Sequence, residues 1–301
     1  MDGWDAIAAS AVPLTGGYGG ETFAVSAVGE DAVLRLYLRD PARATVDVAL
    51  LRLVRGLLPV PRVLDAKPEG TPDDPPYVLT ERLPGVSLET YLPAASDDQR
   101  RRAGEQLGEL LARLSGMPFL TFGGFTGPEL AIEPFGPGDL HLWFEQYADD
   151  LALSRSQVDN LYVVISEAED LAADGVDRVC LVHSDFNPKN LLVDPETATL
   201  TGLIDWEFAH AGSPYTDLGN LLRFCTDPVL GGTVLDVVRR SAPGLGDRLQ
   251  ERARGADLWA LIELASRAGT NPVATAAREL LGRIADTKGL TAGRPDLDVV
   301  H

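Results

Sequence analysis

A chain of 301 residues with 45% hydrophobic and 24% charged side chains is long enough for one large domain or two modest ones with real cores, which excludes disorder as its default state. Its formal charge of −19 excludes the basic surface that nucleic acid or an anionic membrane requires of a partner, and suits a cationic ligand. No apolar run is long enough to span a bilayer and the opening MDGWDAIAAS lacks the pattern of a secretory signal, so a cytoplasmic protein is expected, with Cys180 and Cys225 as buried thiols.

Val12 to Val28 reads as two antiparallel strands around a glycine-rich turn, where Gly16, Gly17 and Gly19 remove side chains and let backbone approach phosphates. Ala32 to Leu38 alternates as a strand with Arg35 in its middle. Asp40-Pro41 punctuates the chain, and Ala42 to Leu57 follows as an amphipathic helix with Val46, Ala49, Leu50, Leu53 and Leu57 near helical spacing. Leu58 to Leu64 enters a strand through two prolines, Lys67 to Pro76 is a loop by composition, and Tyr77 to Leu83 is a further strand. Ser96 to Leu114 is the clearest helix, capped by Ser96, opened by Asp97 and Asp98, and striped by Leu107, Leu110, Leu111 and Leu114. Glycines and prolines from Gly116 to Gly138 mark a long connection. Leu140 to Leu153 and Gln157 to Ala173 then read as helices in the most acidic part of the chain.

The segment from Leu181 to Trp206 carries the chemistry. Leu191-Leu192-Val193 and Leu200 to Ile204 are short strands around the turn Asp194-Pro195-Glu196-Thr197. Asn190 stands just before the first strand and Asp205 just after the second, so a hairpin brings the two to one end, with Asp185 five residues before Asn190. A carboxylate, an amide oxygen and a second carboxylate converging there form a hard-cation site beside a general base, which suits Mg²⁺ and a nucleotide phosphate.

The spacing His183-x-Asp185-x-x-x-x-Asn190 followed by Ile204-Asp205-Trp206 closely resembles the catalytic loop and metal segment of the aminoglycoside phosphotransferase family. The resemblance implies an α+β, two-lobed protein-kinase-like fold. Residues 1–82 would form a small antiparallel sheet with one helix, and residues 83–301 a mainly helical lobe. It implies that Asp185 orients or deprotonates the attacking hydroxyl, that Asn190 and Asp205 hold Mg²⁺, and that His183 braces the loop. In the small lobe it places the glycine turn and Thr22 at the nucleotide phosphates, and Arg35 where kinases carry a lysine, paired with Asp47 where the family usually has Glu. Thr80, Glu81 and Leu83 would line the adenine pocket, with ATP as donor and GTP an alternative.

After Asp205, the sequence Trp206-Glu207-Phe208 favours the small-molecule branch of that superfamily, and Asp217 matches the aspartate that braces the catalytic loop. Thr216 to Phe224 reads as a helix, and Val234 to Ile284 gives further helices broken at Ala242-Pro243-Gly244 and Asn271-Pro272. In the resembled family, helices before the catalytic loop help form the acceptor pocket, which makes Glu145 and Asp149 candidates for binding a basic acceptor; Glu207, Asp257 and Glu263, beyond that loop, are further candidates to reach it. The activity implied is Mg²⁺-dependent transfer of a γ-phosphate to a small-molecule hydroxyl, on an aminoglycoside or other basic antibiotic in a resistance role. A metabolite kinase of choline, sugar, fructosamine or homoserine type is the alternative, and a nucleotide-binding pseudokinase a third reading.

Overall fold

The computed structural model describes residues 10–14, 21–27, 30–71, 74–136, 138–175, 178–292 and 297. By contact the chain forms two units, the first made of residues 1–95, 121–134 and 183–211, the second of 96–120, 135–182 and 212–301. This differs from a single cut after residue 82. The hairpin segment belongs with the N-terminal sheet because β6 (Val86–Ser87) pairs with Leu192 and Val193, and the Leu203 N–H donates to Pro59 O at 2.7 Å.

In the first unit a five-stranded antiparallel sheet has the order β1-β2-β3-β5-β4. Its strands are β1 (Val12–Pro13), β2 (Glu21–Ala27), β3 (Glu30–Leu36), β4 (Val63–Lys67) and β5 (Tyr77–Glu81). The strand expected over Leu58 to Leu64 begins only at Val63, because Pro59 and Pro61 cannot donate to a ladder. One sheet face buries Val25, Ala32, Leu34 and Leu79. The other packs Tyr37 and Val78 against Ala44 and Val48 of α1 (Arg43–Val54). Register in the sheet sets Thr22 opposite Arg35 and Arg35 opposite Val78.

The region read as a long connection holds short strands, among them Gly123–Thr126 and Ala131–Pro134. Glycine hides the first of these from any alternation pattern. At Gly123 a Cβ would lie 2.2 Å from the Glu133 carbonyl oxygen, so only glycine lets the two backbones meet. His210 and Ala211 pair with Gly124 and Gly123, which ties the end of the stretch after Asp205 to these short strands.

The second unit is mainly helical. Its main helices are α2 (Asp97–Ser115), α3 (Leu140–Tyr147), α4 (Arg155–Ala173), α5 (Thr216–Leu222), α6 (Pro228–Ser241), α7 (Leu249–Ala256), α8 (Leu258–Ser266) and α9 (Pro272–Thr287). Ser96 and Ser154 close capping boxes with Gln99 and Gln157. The helix expected over Leu140 to Leu153 stops at Tyr147, passes through a 3₁₀ turn and ends at Ala152, whose φ of 51° is left-handed. Phe144, Leu161, Ile165, Ile262 and Leu281 anchor the core. No helix among the described residues is long and apolar enough to cross a membrane.

Candidate active site

The hairpin strands Leu191–Asp194 and Thr199–Leu203 pair antiparallel, with Leu191 opposite Leu203. The Asp194 side chain builds the turn by accepting from the Glu196 and Thr197 N–H groups at 2.8 and 3.2 Å. At the other end the Ile204 N–H donates to Asn190 O at 3.0 Å, which sets Asn190 beside the start of the Asp205 segment.

Asp185 is held at both carboxylate oxygens. Asn187 Nδ2 donates to Oδ1 at 2.5 Å and Asn190 Nδ2 to Oδ2 at 2.8 Å. Lys189 Nζ lies 3.1 Å from the same Oδ2. Asn190 Nδ2 also donates to the Asp185 carbonyl at 3.0 Å, so both hydrogens of that amide face Asp185 and its oxygen is turned the other way. Asn187 and Lys189 escaped the sequence reading, although both lie inside the spacing that identified their neighbours.

His183 is fully buried and works as a strut. Its Nδ1 accepts from the Asp185 N–H at 3.3 Å, so Nε2 carries the proton and donates to Ile204 O at 3.0 Å. The ring meets Trp206 edge-on at 4.8 Å. Burial lowers its pKa to about 4, against the smaller opposing pull of Asp185, and keeps it neutral at neutral pH. Both residues flanking this strut, Ser184 and Asp205, adopt left-handed backbone with φ of 66°, a strained conformation held by the surrounding bonds.

A lowered histidine pKa has a definite sign. The unfolded chain takes up a proton near pH 6.5 and the folded one only near 4, so the stability due to neutral His183 is complete above 6.5 and is lost as pH falls to about 4. The loss amounts to about 3 kcal/mol. Urea midpoints at pH 7 and pH 4 should therefore differ more for the wild type than for His183→Gln; equal differences would remove His183 as the cause.

Arg35 does not pair with Asp47. Its Nη1 lies 3.1 Å from Asp205 Oδ1, its Nη2 bonds Glu207 Oε2, and its guanidinium sits 5.3 Å from the Tyr37 ring. Asp47 is buried and instead accepts from Tyr37 Oη at 2.6 Å and from Arg43 Nε at 2.7 Å. Arg43 stands one turn before Asp47 on the same face of α1, so this partner is preformed by the helix. Glu207, expected to face the acceptor, is committed to Arg35 with its side chain only 7% exposed. Burial, then the neighbouring Glu207 charge, raises the Asp205 pKa, and Arg35 counters this only in part.

Arg35, Asp47, Lys189, Asn190 and Asp205 are among the residues that line a cleft of about 440 Å³ within the first unit. Thr22, Arg35, Asp47, Asn190 and Asp205 supply its polar side, and Val33, Leu51, Val78, Leu83, Leu192 and Ile204 its apolar side. Thr80 and Glu81 also line it. The Glu81 carboxylate accepts from the Arg62 N–H at 2.9 Å, so it holds β5 to the start of β4. Gly16, Gly17 and Gly19 lie outside the described residues. The Asp205 carboxylate and the Asn190 side-chain oxygen are hard oxygen donors of the kind a small divalent cation would use there.

The other candidates lie in the second unit. Glu145 and Asp149 are exposed, and Glu145 accepts from Tyr162 Oη at 3.3 Å. Glu263 lies 3.3 Å from Arg267 Nη2. Asp217 is buried in the first turn of α5. Asp257 corrects its reading as an acceptor ligand. It is 3% exposed, takes Arg223 Nε and Nη2 at 3.0 and 2.7 Å, and accepts from Asn220 at 3.1 Å. Its charge is satisfied inside the core. Asp257→Asn should cost about 3 kcal/mol by leaving Arg223 without its counter-charge, read as a lower urea midpoint with unchanged nucleotide affinity.

An antiparallel sheet with one helix, a hairpin with Asn190 and Asp205 at one end, and a mainly helical second unit make up an α+β, protein-kinase-like fold. The chain belongs to the phosphotransferase enzyme family, whose model matches residues 10–258. Among solved structures it is similar to the GDP complex of a mutant aminoglycoside 2'-phosphotransferase-IIIa, with a TM-score of 0.71, 20% identity and 92% of each chain covered. It is also similar to a thermostable mutant of aminoglycoside phosphotransferase APH(4)-Ia in ternary complex with ADP and hygromycin B, with a TM-score of 0.67, 19% identity and 94% of each chain covered. A third is macrolide 2'-phosphotransferase MphH from Brachybacterium faecium, with a TM-score of 0.58, 20% identity, and 90% of this chain and 91% of that one covered. Among curated proteins it is 26% identical over 168 residues to Acyl-CoA dehydrogenase family member 10 of Mus musculus, and 25% identical over 154 residues to member 11 of the same organism. These matches take in 54% and 49% of this chain but only 15% and 18% of those proteins, so the chain spans a small part of the curated relatives it matches.

Proposed function

We propose that the protein transfers the γ-phosphate of a nucleotide, ATP with GTP as alternative, to a hydroxyl of a cationic small molecule. The observation that carries this reading is the Asp185 carboxylate, fixed at both oxygens by Asn187 and Asn190 next to the Asn190–Asp205 pair on the cleft. The acceptor hydroxyl oxygen attacks the γ-phosphorus, the bond from phosphorus to the β-γ bridging oxygen breaks, and the nucleoside diphosphate leaves. Asp185 orients the hydroxyl and takes its proton. Asn190 and Asp205 would hold Mg²⁺, which when bound supplies positive charge to the phosphate oxygens. Arg35, with Thr22 opposite it on β2, faces the phosphates, while the apolar wall by Val33, Leu51 and Leu83 takes the base. His183 is a structural support of the catalytic loop in this reading, and Asp217 a buried structural residue of α5.

The formal charge of −19 and the exposed Glu145 and Asp149 support a basic acceptor such as an aminoglycoside, with resistance as the role and the cytoplasm as the place. The curated relatives bear names from a metabolic enzyme family, which favours a metabolite hydroxyl as the second reading. Purified protein with Mg²⁺, ATP or GTP and a panel of both acceptor types decides between them. Mass gain of one phosphate on a panel member, absent with Asp185→Ala, is the expected result. Tight nucleotide binding without transfer to any acceptor in a broad panel would favour a pseudokinase.

A further inference from the structure

Helix α1 reaches the metal segment by a route that bypasses Arg35. Arg43 directs Nη2 at Trp206 O at 2.5 Å and Nη1 at Ala209 O at a longer 3.5 Å, so one guanidinium spans both ends of the stretch that follows Asp205. Its Nε is fixed by Asp47 at 2.7 Å, and Asp47 is fixed in turn by Tyr37 Oη at 2.6 Å. The Arg43 and Asp47 side chains are only 16% and 6% exposed, so these bonds act in a poorly screened setting. Arg35 meanwhile takes its orientation from Asp205 and Glu207. Two jobs that one ion pair would otherwise combine are thus divided. Arg35–Glu207 orients the cation that faces the phosphates, and Asp47–Arg43 sets the backbone that carries Asp205.

We infer that Arg43 is a positioning residue of the phosphotransfer site, gripping the Trp206 and Ala209 carbonyls so that Asp205 is presented to Mg²⁺, and that Asp47 serves Arg43 and not Arg35. This rests on the phosphotransferase reading above. A lysine at position 43 keeps the charge beside Asp47 but cannot span two carbonyls. Loss of such an outer support weakens metal affinity by about tenfold or more.

The test uses the full chain with Arg43→Lys, Arg43→Gln, Asp47→Asn, Arg35→Lys and Glu207→Gln. In the ligand-free protein, amide hydrogen exchange across residues 206–209 should rise by about tenfold in Arg43→Lys while the α4 amides stay unchanged. With a non-hydrolysable ATP analogue, the Mg²⁺ midpoint for binding should rise by about tenfold in the same variant, with metal-free analogue affinity unaltered. In double-mutant cycles on that midpoint, Asp47→Asn should couple to Arg43→Lys and add independently to Arg35→Lys, while Glu207→Gln should couple to Arg35→Lys. Coupling of Asp47 to Arg35 in place of Arg43, or Arg43 variants that unfold earlier yet keep wild-type exchange and Mg²⁺ midpoint, would overturn the inference. A wild type that binds no Mg²⁺-analogue at all sinks the functional reading instead, and the exchange experiment then decides the grip of Arg43 alone.

Discussion

Asp185→Ala should bind nucleotide and Mg²⁺ as the wild type does and turn over about a thousandfold more slowly. The carboxylate receives Asn187, Asn190 and Lys189, none of which depends on it for its place in the chain. Asn190 is fixed by backbone bonds to Asn187 and Ile204, and Asn187 caps the 3₁₀ turn by accepting from the Lys189 N–H. With its side chain 19% exposed, the site left by alanine can be filled by water, which keeps the amide donors satisfied. Turnover and binding therefore separate. The measurement is kcat beside analogue affinity, and residual turnover within tenfold of wild type would reassign the base.

Asp205→Asn carries the second large effect, and it should move activity and stability in opposite directions. Asparagine accepts the left-handed φ of 66° well, so the backbone is spared. Since burial and then Glu207 raise the Asp205 pKa, its ionised form costs stability in the ligand-free fold. That cost is absent below the ordinary aspartate value of 3.8 and grows as pH rises through the higher folded one. At neutral pH the variant should melt no earlier than the wild type, while Mg²⁺-dependent turnover falls by about a hundredfold or more. Thermal melts without ligand and Mg²⁺ titrations of activity together check it. A lower melting temperature with normal Mg²⁺ dependence would show a structural aspartate and not a ligand.

What sequence made legible follows the range of the forces involved. The hairpin could be read because its strands, its Asp194 turn and the flanking Asn190 and Asp205 all lie within a few residues of one another, and backbone pairing does the rest. The choice of partner for Arg35 could not. Asp205 lies 170 residues away, and whether a guanidinium turns to it or to Asp47 depends on packing that no periodicity records. Arg43 was visible as an i, i+4 neighbour of Asp47, the one signal that could have foretold the rewired pair. Asp257 reads as a candidate acceptor ligand because a carboxylate in a buried ion pair leaves the same polar mark in a sequence as one that faces a ligand. Gly123 and Gly124 concealed a strand, since a close backbone approach has no side-chain signature beyond glycine itself.

The membership of residues 183–211 in the first unit has a consequence for the chain as it leaves the ribosome. When residue 95 has emerged, the N-terminal sheet still lacks the hairpin that pairs with β6 and the segment that neutralises Arg35. Synthesis at about 5–20 residues per second leaves that interval open for on the order of ten seconds. During it, Val86 and Ser87 present an unpaired edge and Leu83 and Leu51 an uncovered apolar wall, so the nascent first unit is a natural client for chaperones. A stop introduced between residues 95 and 183 should therefore yield an aggregating fragment and not a small independent nucleotide-binding domain.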